Sequence, residues 1–162
     1  MIKSVTFGYN YEGMSLHNWA FCNTNLQLIV IPCNRIFDVT WSTLINWANV
    51  LRIPIWCQSS EKDTGLLEKL QNIVPDTMFC FRYPYKLTKD ILQSSINGCI
   101  NIHPGKLPEY KGKDPIRDAI KNNEKEIWVT LHKMDDKLDN GEVLSAKSFY
   151  LDGIIDIMRS LS

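Results

Sequence analysis

The 162-residue chain has no surplus of either charge: 18 Lys and Arg stand against 18 Asp and Glu. A general grip on nucleic acid needs excess cations to neutralise phosphates, so no nucleic-acid partner is expected, although a local basic patch stays open. No uninterrupted apolar run approaches the roughly 18 residues of a membrane-spanning helix, so no membrane partner is expected either. The start, Met1-Ile2-Lys3-Ser4, lacks the apolar stretch and small-residue cleavage site of a signal peptide. The five cysteines (Cys22, Cys33, Cys57, Cys80 and Cys99) include no CxxC pair and sit mostly in apolar runs. They are expected to be free, buried thiols of a cytoplasmic protein. Repeats, low-complexity tracts and linkers rich in Gly, Ser or Pro are all missing, which leaves a single domain over residues 1–162. With 44% hydrophobic and 22% charged residues, the composition is that of an ordinary globular protein rather than a disordered one.

What is present is alternation. Residues 4–8, 26–32 (LQLIVIP), 53–57 (IPIWC), 77–81 and 98–103 read as strands, the second so apolar that both its faces should be covered. Between them, residues 40–51 put Leu44, Trp47, Ala48 and Leu51 on one helical face. Leu66, Leu67, Leu70 and Ile73 do the same behind a capping Asp63, and Asp114-Pro115 pairs a cap with proline at the first helical position. Residues 127–134 and 142–150 read as two further strands. The fold class is therefore α/β: a Rossmann-like, mostly parallel twisted sheet with flanking helices.

Open parallel sheets bind ligands beyond the carboxyl ends of their strands. Three such ends stand out: residues 8–13 (GYNYEG), 81–87 (FRYPYKL) and 101–112 (NIHPGKLPEYKG). Gly8 and Gly13 suit a phosphate cradle or, better in the absence of a GxGxxG or Walker pattern, a plain tight turn. Asn101 and His103, two apart on a strand, share a face, and Pro104 ends the strand. His132 lies in a later strand, and Asp139 falls in a turn made by Asn140-Gly141. By spacing alone these residues equally describe a capped strand end and a turn. His103, His132 and Asp139 are zinc-ligand types, but they match no closed zinc motif, and no metal is expected.

NIHPGKLPEYKG, then DPIRDAI, then WVTLHKMDDKLDNGEVL, resembles the folate-dependent formyltransferase family, which includes enzymes acting on glycinamide ribonucleotide, methionyl-tRNA and nucleotide sugars. The likeness rests on Asn101-His103-Pro104, on Leu107-Pro108-Tyr110-Gly112 and on His132-Asp139-Gly141, and is specific over about residues 75–144. It implies the formyltransferase fold, 10-formyltetrahydrofolate as formyl donor, and a catalytic trio of Asn101, His103 and Asp139. In that chemistry an acceptor amine attacks the formyl carbon. Asn101 and protonated His103 donate to the resulting oxyanion, and Asp139 relays protons and supports His103. His132 would stand behind them. The resemblance also implies that Phe81, Tyr83, Pro84, Tyr85, Lys86, Leu87, Met134 and Leu138 bind the folate, although FRYPY also reads as an aromatic-rich turn. Gly8, Tyr9, Asn10, Pro104, Gly105 and Lys106 would meet the acceptor. Gly105 departs from the family, which commonly has Ser there.

For the acceptor, a nucleotide-linked amino sugar is preferred, with aromatics such as Tyr9, Tyr11 and Trp19 available to pack on it. Glycinamide ribonucleotide, water, or a non-catalytic folate- or nucleotide-binding role are the alternatives. The resemblance allows a homodimer. Residues 151–161 (LDGIIDIMRSL) read as the start of a helix, and 162 residues is short for the family, so the chain is a minimal or excised catalytic core on this reading.

Overall fold

The computed structural model describes residues 1–35 and 40–151; the expected helix over 151–161 lies, beyond Leu151, outside them. The chain divides into two compact units, Met1–Asn101 and Ile102–Ser162. In the first, β1 (Lys3–Gly8), β2 (Asn25–Pro32), β3 (Ile55–Gln58) and β4 (Thr77–Phe81) alternate with α1 (Asn10–Asn23), α2 (Thr40–Val50) and α3 (Thr64–Ile73). A short α4 (Lys89–Gln93) follows β4. The strands lie in the order β3-β2-β1-β4, and the pairings β1 with β2, β1 with β4 and β2 with β3 are all parallel. This is the doubly covered sheet that the continuous apolar strands require: Val5, Phe7, Ile29 and Val30 are fully buried. One face is sealed by Ala20 of α1 and by Trp41, Leu44 and Ala48 of α2, packed with Leu26, Ile29, Ile31 and Ile53. Asp63 caps α3 as expected, its Oδ1 accepting from Leu66 N at 2.9 Å.

Helix α1 was absent from the sequence reading, which placed a turn at residues 8–13. The helix begins at Asn10, and the buried ones among its described side chains are Gly13, Leu16, His17 and Ala20. That spacing is helical, but glycine and histidine hold two of the four positions, so no apolar stripe is visible. Gly8 and Gly13 abut: a Cβ on Gly8 would stand 2.9 Å from Gly13 Cα, and one on Gly13 would stand 2.8 Å from the Gly8 carbonyl carbon. The pair lets the helix start directly against the strand end. The thiol expectation also needs correction. Cys33 and Cys57, at the neighbouring ends of β2 and β3, form a disulfide, whereas Cys22, Cys80 and Cys99 are free and Cys22 is exposed.

Strand β5 (Cys99–His103) carries the chain across the unit boundary. The second unit holds α5 (Pro115–Lys121) and an antiparallel pair, β6 (Glu126–Lys133) and β7 (Val143–Tyr150). Pro115 opens α5 as expected, but Asp114 gives it no side-chain cap bond. In β6, Thr130 and His132 are the buried positions, two apart on one face, and the register slips between Leu131 and His132. A slip of this kind re-aims the side chain that follows it. Among the described residues, no helix is long and apolar enough to cross a membrane.

Candidate active site

His103 ends β5 and is 3% exposed, so both its ring nitrogens need partners within the protein. Nδ1 lies 3.6 Å from Asp139 Oδ1. Nε2 lies 2.6 Å from the Tyr110 carbonyl oxygen. A carbonyl only accepts, so Nε2 carries a proton. Nδ1 is left facing the carboxylate across a gap longer than a good hydrogen bond. His132 approaches the same oxygen: its Nε2 is also 3.6 Å from Asp139 Oδ1, and the two imidazoles meet edge to face at 6.3 Å.

Asp139 is buried beside these rings, at the turn expected from Asn140-Gly141, and its φ of 46° is left-handed. Its Oδ2 accepts from Gly112 N at 2.9 Å. Burial alone pushes its carboxyl toward the neutral form. The neighbouring His132 imidazole, the Gly112 N–H and the His103 imidazole outweigh burial and hold it below the ordinary value of 3.8. Asp135 braces the turn by accepting from Lys137 N and Asn140 Nδ2, at 2.9 and 3.1 Å. Gly141 must be glycine, because a Cβ there would overlap the Lys133 carbonyl.

The loop after β5 is fastened over His103. Thr130 Oγ1 donates to the Gly105 carbonyl at 2.7 Å, and Tyr110 N donates to Lys106 O at 2.7 Å. Tyr110 OH donates to Glu124 Oε1 at 2.6 Å, and Asn122 Nδ2 donates to that hydroxyl at 3.2 Å. The departure at Gly105 finds its physical reason here: a Cβ would stand 2.5 Å from Pro115 Cβ, 2.7 Å from Tyr110 O and 2.9 Å from His103 Nε2. Pro104, Gly105 and Lys106 line a cleft of about 790 Å³ that also includes Ile116 and Trp128, and Lys106 Nζ is 5.7 Å from the Trp128 ring centroid.

The other expected residues are placed as follows. Asn101 is half-buried in β5, at the alternate position before His103. Gly8 is buried at the end of β1, and Tyr9 and Asn10 are half-buried at the start of α1. Trp19 packs edge-on to Phe79 at 5.2 Å, while the Tyr11 side chain lies outside the described residues. Phe81 ends β4, and 83–87 run outside strand and helix, so their backbone groups are not committed to a ladder. Within that stretch Tyr83 OH donates to the buried Gln58 Oε1 at 2.7 Å, its ring meets Phe7 and Tyr85, and burial pushes its phenol well up. Lys86 N donates to Glu61 Oε1 at 3.3 Å, and Pro84 is exposed. Leu87 is 1% exposed. In the second unit Met134 is half-buried and Leu138 is 74% exposed. The structure thus joins His103 and Asp139, adds His132 to the same carboxylate, and sets the Tyr110 carbonyl against His103 and the Thr130 hydroxyl against the loop that carries it. The Tyr110 contribution is a carbonyl, which every residue has, so no sequence signal marks it. Thr130 is a buried hydroxyl two positions before His132, a signal that strand alternation could have raised.

The chain is 32% identical to a methionyl-tRNA formyltransferase of Orientia tsutsugamushi over 118 residues, 73% of this chain and 38% of that one. It is 34% identical to the bifunctional polymyxin resistance protein ArnA of Wigglesworthia glossinidia brevipalpis, covering 93% of this chain and 24% of that one. The chain therefore spans about a quarter to two-fifths of the length of these curated relatives. In fold it is like a phosphoribosylglycinamide formyltransferase of Streptococcus pneumoniae, with a TM-score of 0.78 at 20% identity over 99% of this chain and 89% of that one. The formyl transferase family model matches residues 41–152, a span that includes Asn101, His103, His132 and Asp139, and the chain belongs to that family.

Proposed function

We propose that this chain is the catalytic domain of a cytoplasmic N-formyltransferase that moves a formyl group from 10-formyltetrahydrofolate to the primary amine of a nucleotide-linked amino sugar. The observation that carries the reading is the buried His103–Asp139 pair at the end of β5, inside the family-matched span. When bound, the folate supplies the formyl carbon on a nitrogen that can leave once it is protonated. The residues present fit such a donor: a buried imidazole and carboxylate can move protons, and 83–87 offer backbone outside any strand ladder beside the aromatic rings of Phe81, Tyr83 and Tyr85.

His103 holds a proton and presents positive charge to the formyl oxygen. Asn101, from the alternate position of the same strand, is assigned to orient that oxygen by donating its amide N–H. Asp139, ionised over the whole neutral range, accepts the proton shed by the attacking amine. What supports the acceptor choice is the cleft at Pro104, Gly105 and Lys106, where an ammonium and the Trp128 indole stand together. A cation suits a diphosphate, and an indole suits a base or sugar face.

The test is release of tetrahydrofolate from 10-formyltetrahydrofolate with a panel of acceptors. Transfer to a nucleotide-linked amino sugar is expected. Preference for glycinamide ribonucleotide or for water would replace the acceptor assignment, and folate binding without turnover on any amine would overturn the enzyme reading.

A further inference from the structure

The loop at residues 104–112 does more than border His103; it decides which nitrogen of the ring is available. Nε2 is bonded at 2.6 Å to the Tyr110 carbonyl, in a buried position, by a loop pinned at both ends. The pin at one end is Thr130 on the Gly105 carbonyl, and at the other it is Glu124 and Asn122 on the Tyr110 hydroxyl. The approach is possible only because residue 105 has no side chain. A Cβ would meet the Pro115 ring, the Tyr110 carbonyl and Nε2 itself, all inside 3.0 Å, and two of these three belong to rigid rings and the third to backbone. Nδ1 faces the other way, to Asp139 Oδ1 at 3.6 Å, a separation too long for a good hydrogen bond.

We propose that Gly105 and the Tyr110 carbonyl set the working nitrogen of His103: they hold the Nε2 proton in place, so that Nδ1, on the Asp139 side of the ring, is the nitrogen that exchanges a proton during formyl transfer. The inference rests on the transferase reading above and deepens it. Protons balance as follows. Asp139 takes the proton that the amine sheds as its nitrogen bonds the formyl carbon. Nδ1 gives one to the nitrogen that departs with the pair of the broken C–N bond. Asp139 then returns its proton to Nδ1 across the 3.6 Å gap, and both groups end as they began. Gly105 and Tyr110 are positioning residues in this scheme, since neither needs to touch the reacting atoms.

The chain has three histidines, so imidazole nitrogen NMR of the whole protein, assigned by single substitutions, gives a spectrum of three rings. In the wild type, His103 is expected to carry a proton on Nε2 that is slow to exchange with solvent, with Nδ1 as the exchanging site. In Gly105→Ala, Nε2–H exchange should rise roughly tenfold, the scale of losing one net hydrogen bond. If that variant does not fold, Tyr110→Phe, which removes only the anchoring hydroxyl, should speed the same exchange severalfold. A wild-type His103 protonated at Nδ1 and bare at Nε2, or unchanged Nε2–H exchange in whichever of the two variants folds, would overturn the proposal. The spectra need neither donor nor acceptor. A protein without transferase activity therefore leaves the tautomer assignment standing, whereas an active enzyme with an Nδ1–H tautomer sinks this inference alone.

Discussion

His103 and Asp139 each do two jobs, and the second is structural. Asp139 Oδ2 accepts from the Gly112 amide while Oδ1 faces two imidazoles, so the carboxylate ties the β5 loop to the turn after β6. Asp139→Asn keeps an oxygen for Gly112 but loses the charge. Steady-state formyl transfer by this variant should fall by about 10²–10³, the usual consequence of removing one group that stabilises developing charge, and His103→Gln should fall at least as far. Near-wild-type turnover in either would refute the assignment, and retained far-UV circular dichroism would show that the loss is chemical. The family resemblance already paired His103 with Asp139. It did not show that His132 shares the carboxylate, because that depends on the register slip between Leu131 and His132, and pairing register is not readable from one strand.

Elements were legible where their buried faces are apolar. Helix α3 was found because Leu66 and Leu70 recur at helical spacing behind a true cap; helix α1 was missed because Gly13 and His17 stand in its buried face. The Asp63 cap does more than end a helix, since Oδ2 also accepts from Ser59 N at 3.0 Å and so ties the chain leaving β3 to the start of α3. Asp63→Ala should cost about 1–2 kcal/mol in urea unfolding, the upper part of the range for caps, without changing the denaturant slope. A cost under about 0.5 kcal/mol, the range of neutral surface substitutions, would show that the two bonds are not cooperative. Strand β3 illustrates the ordinary boundary error: Pro54 pulled the expected start to residue 53, whereas the ladder runs Ile55–Gln58 and the Pro54 carbonyl accepts from Ile29 N at its edge.

For the molecule as a whole, a residue outside the proposed chemistry should set the acid limit of stability. His17 is completely buried under the end of β1, with Nδ1 2.8 Å from Thr6 Oγ1 and Nε2 without a hydrogen-bond partner among the described residues. Burial lowers its pKa from 6.5 to about 4. As pH falls below 6.5 the unfolded chain takes up this proton and the native state does not. The stability held by neutral His17 is thus complete above 6.5 and is lost as pH falls to about 4. The shift corresponds to about 3 kcal/mol. Urea midpoints at pH 7 and pH 4 should fall further in the wild type than in His17→Leu by about that amount; parallel losses would show that His17 ionises freely in the native state.

The sequence by itself determined the alternation of strands and helices and the strand ends where ligands bind, because periodicity is a local property, while Asn101, His103 and Asp139 were singled out by the resemblance to a family and not by spacing. Only the tertiary structure decided how that chemistry is held. The helix that abuts Gly8, the disulfide between Cys33 and Cys57, the second histidine on Asp139 and the Tyr110 carbonyl on His103 all join positions that a single stretch of chain cannot relate. Gly105 makes the difference plain: in the sequence it is a departure from a family pattern, and in the folded chain it is the one residue small enough to let a backbone carbonyl reach the imidazole.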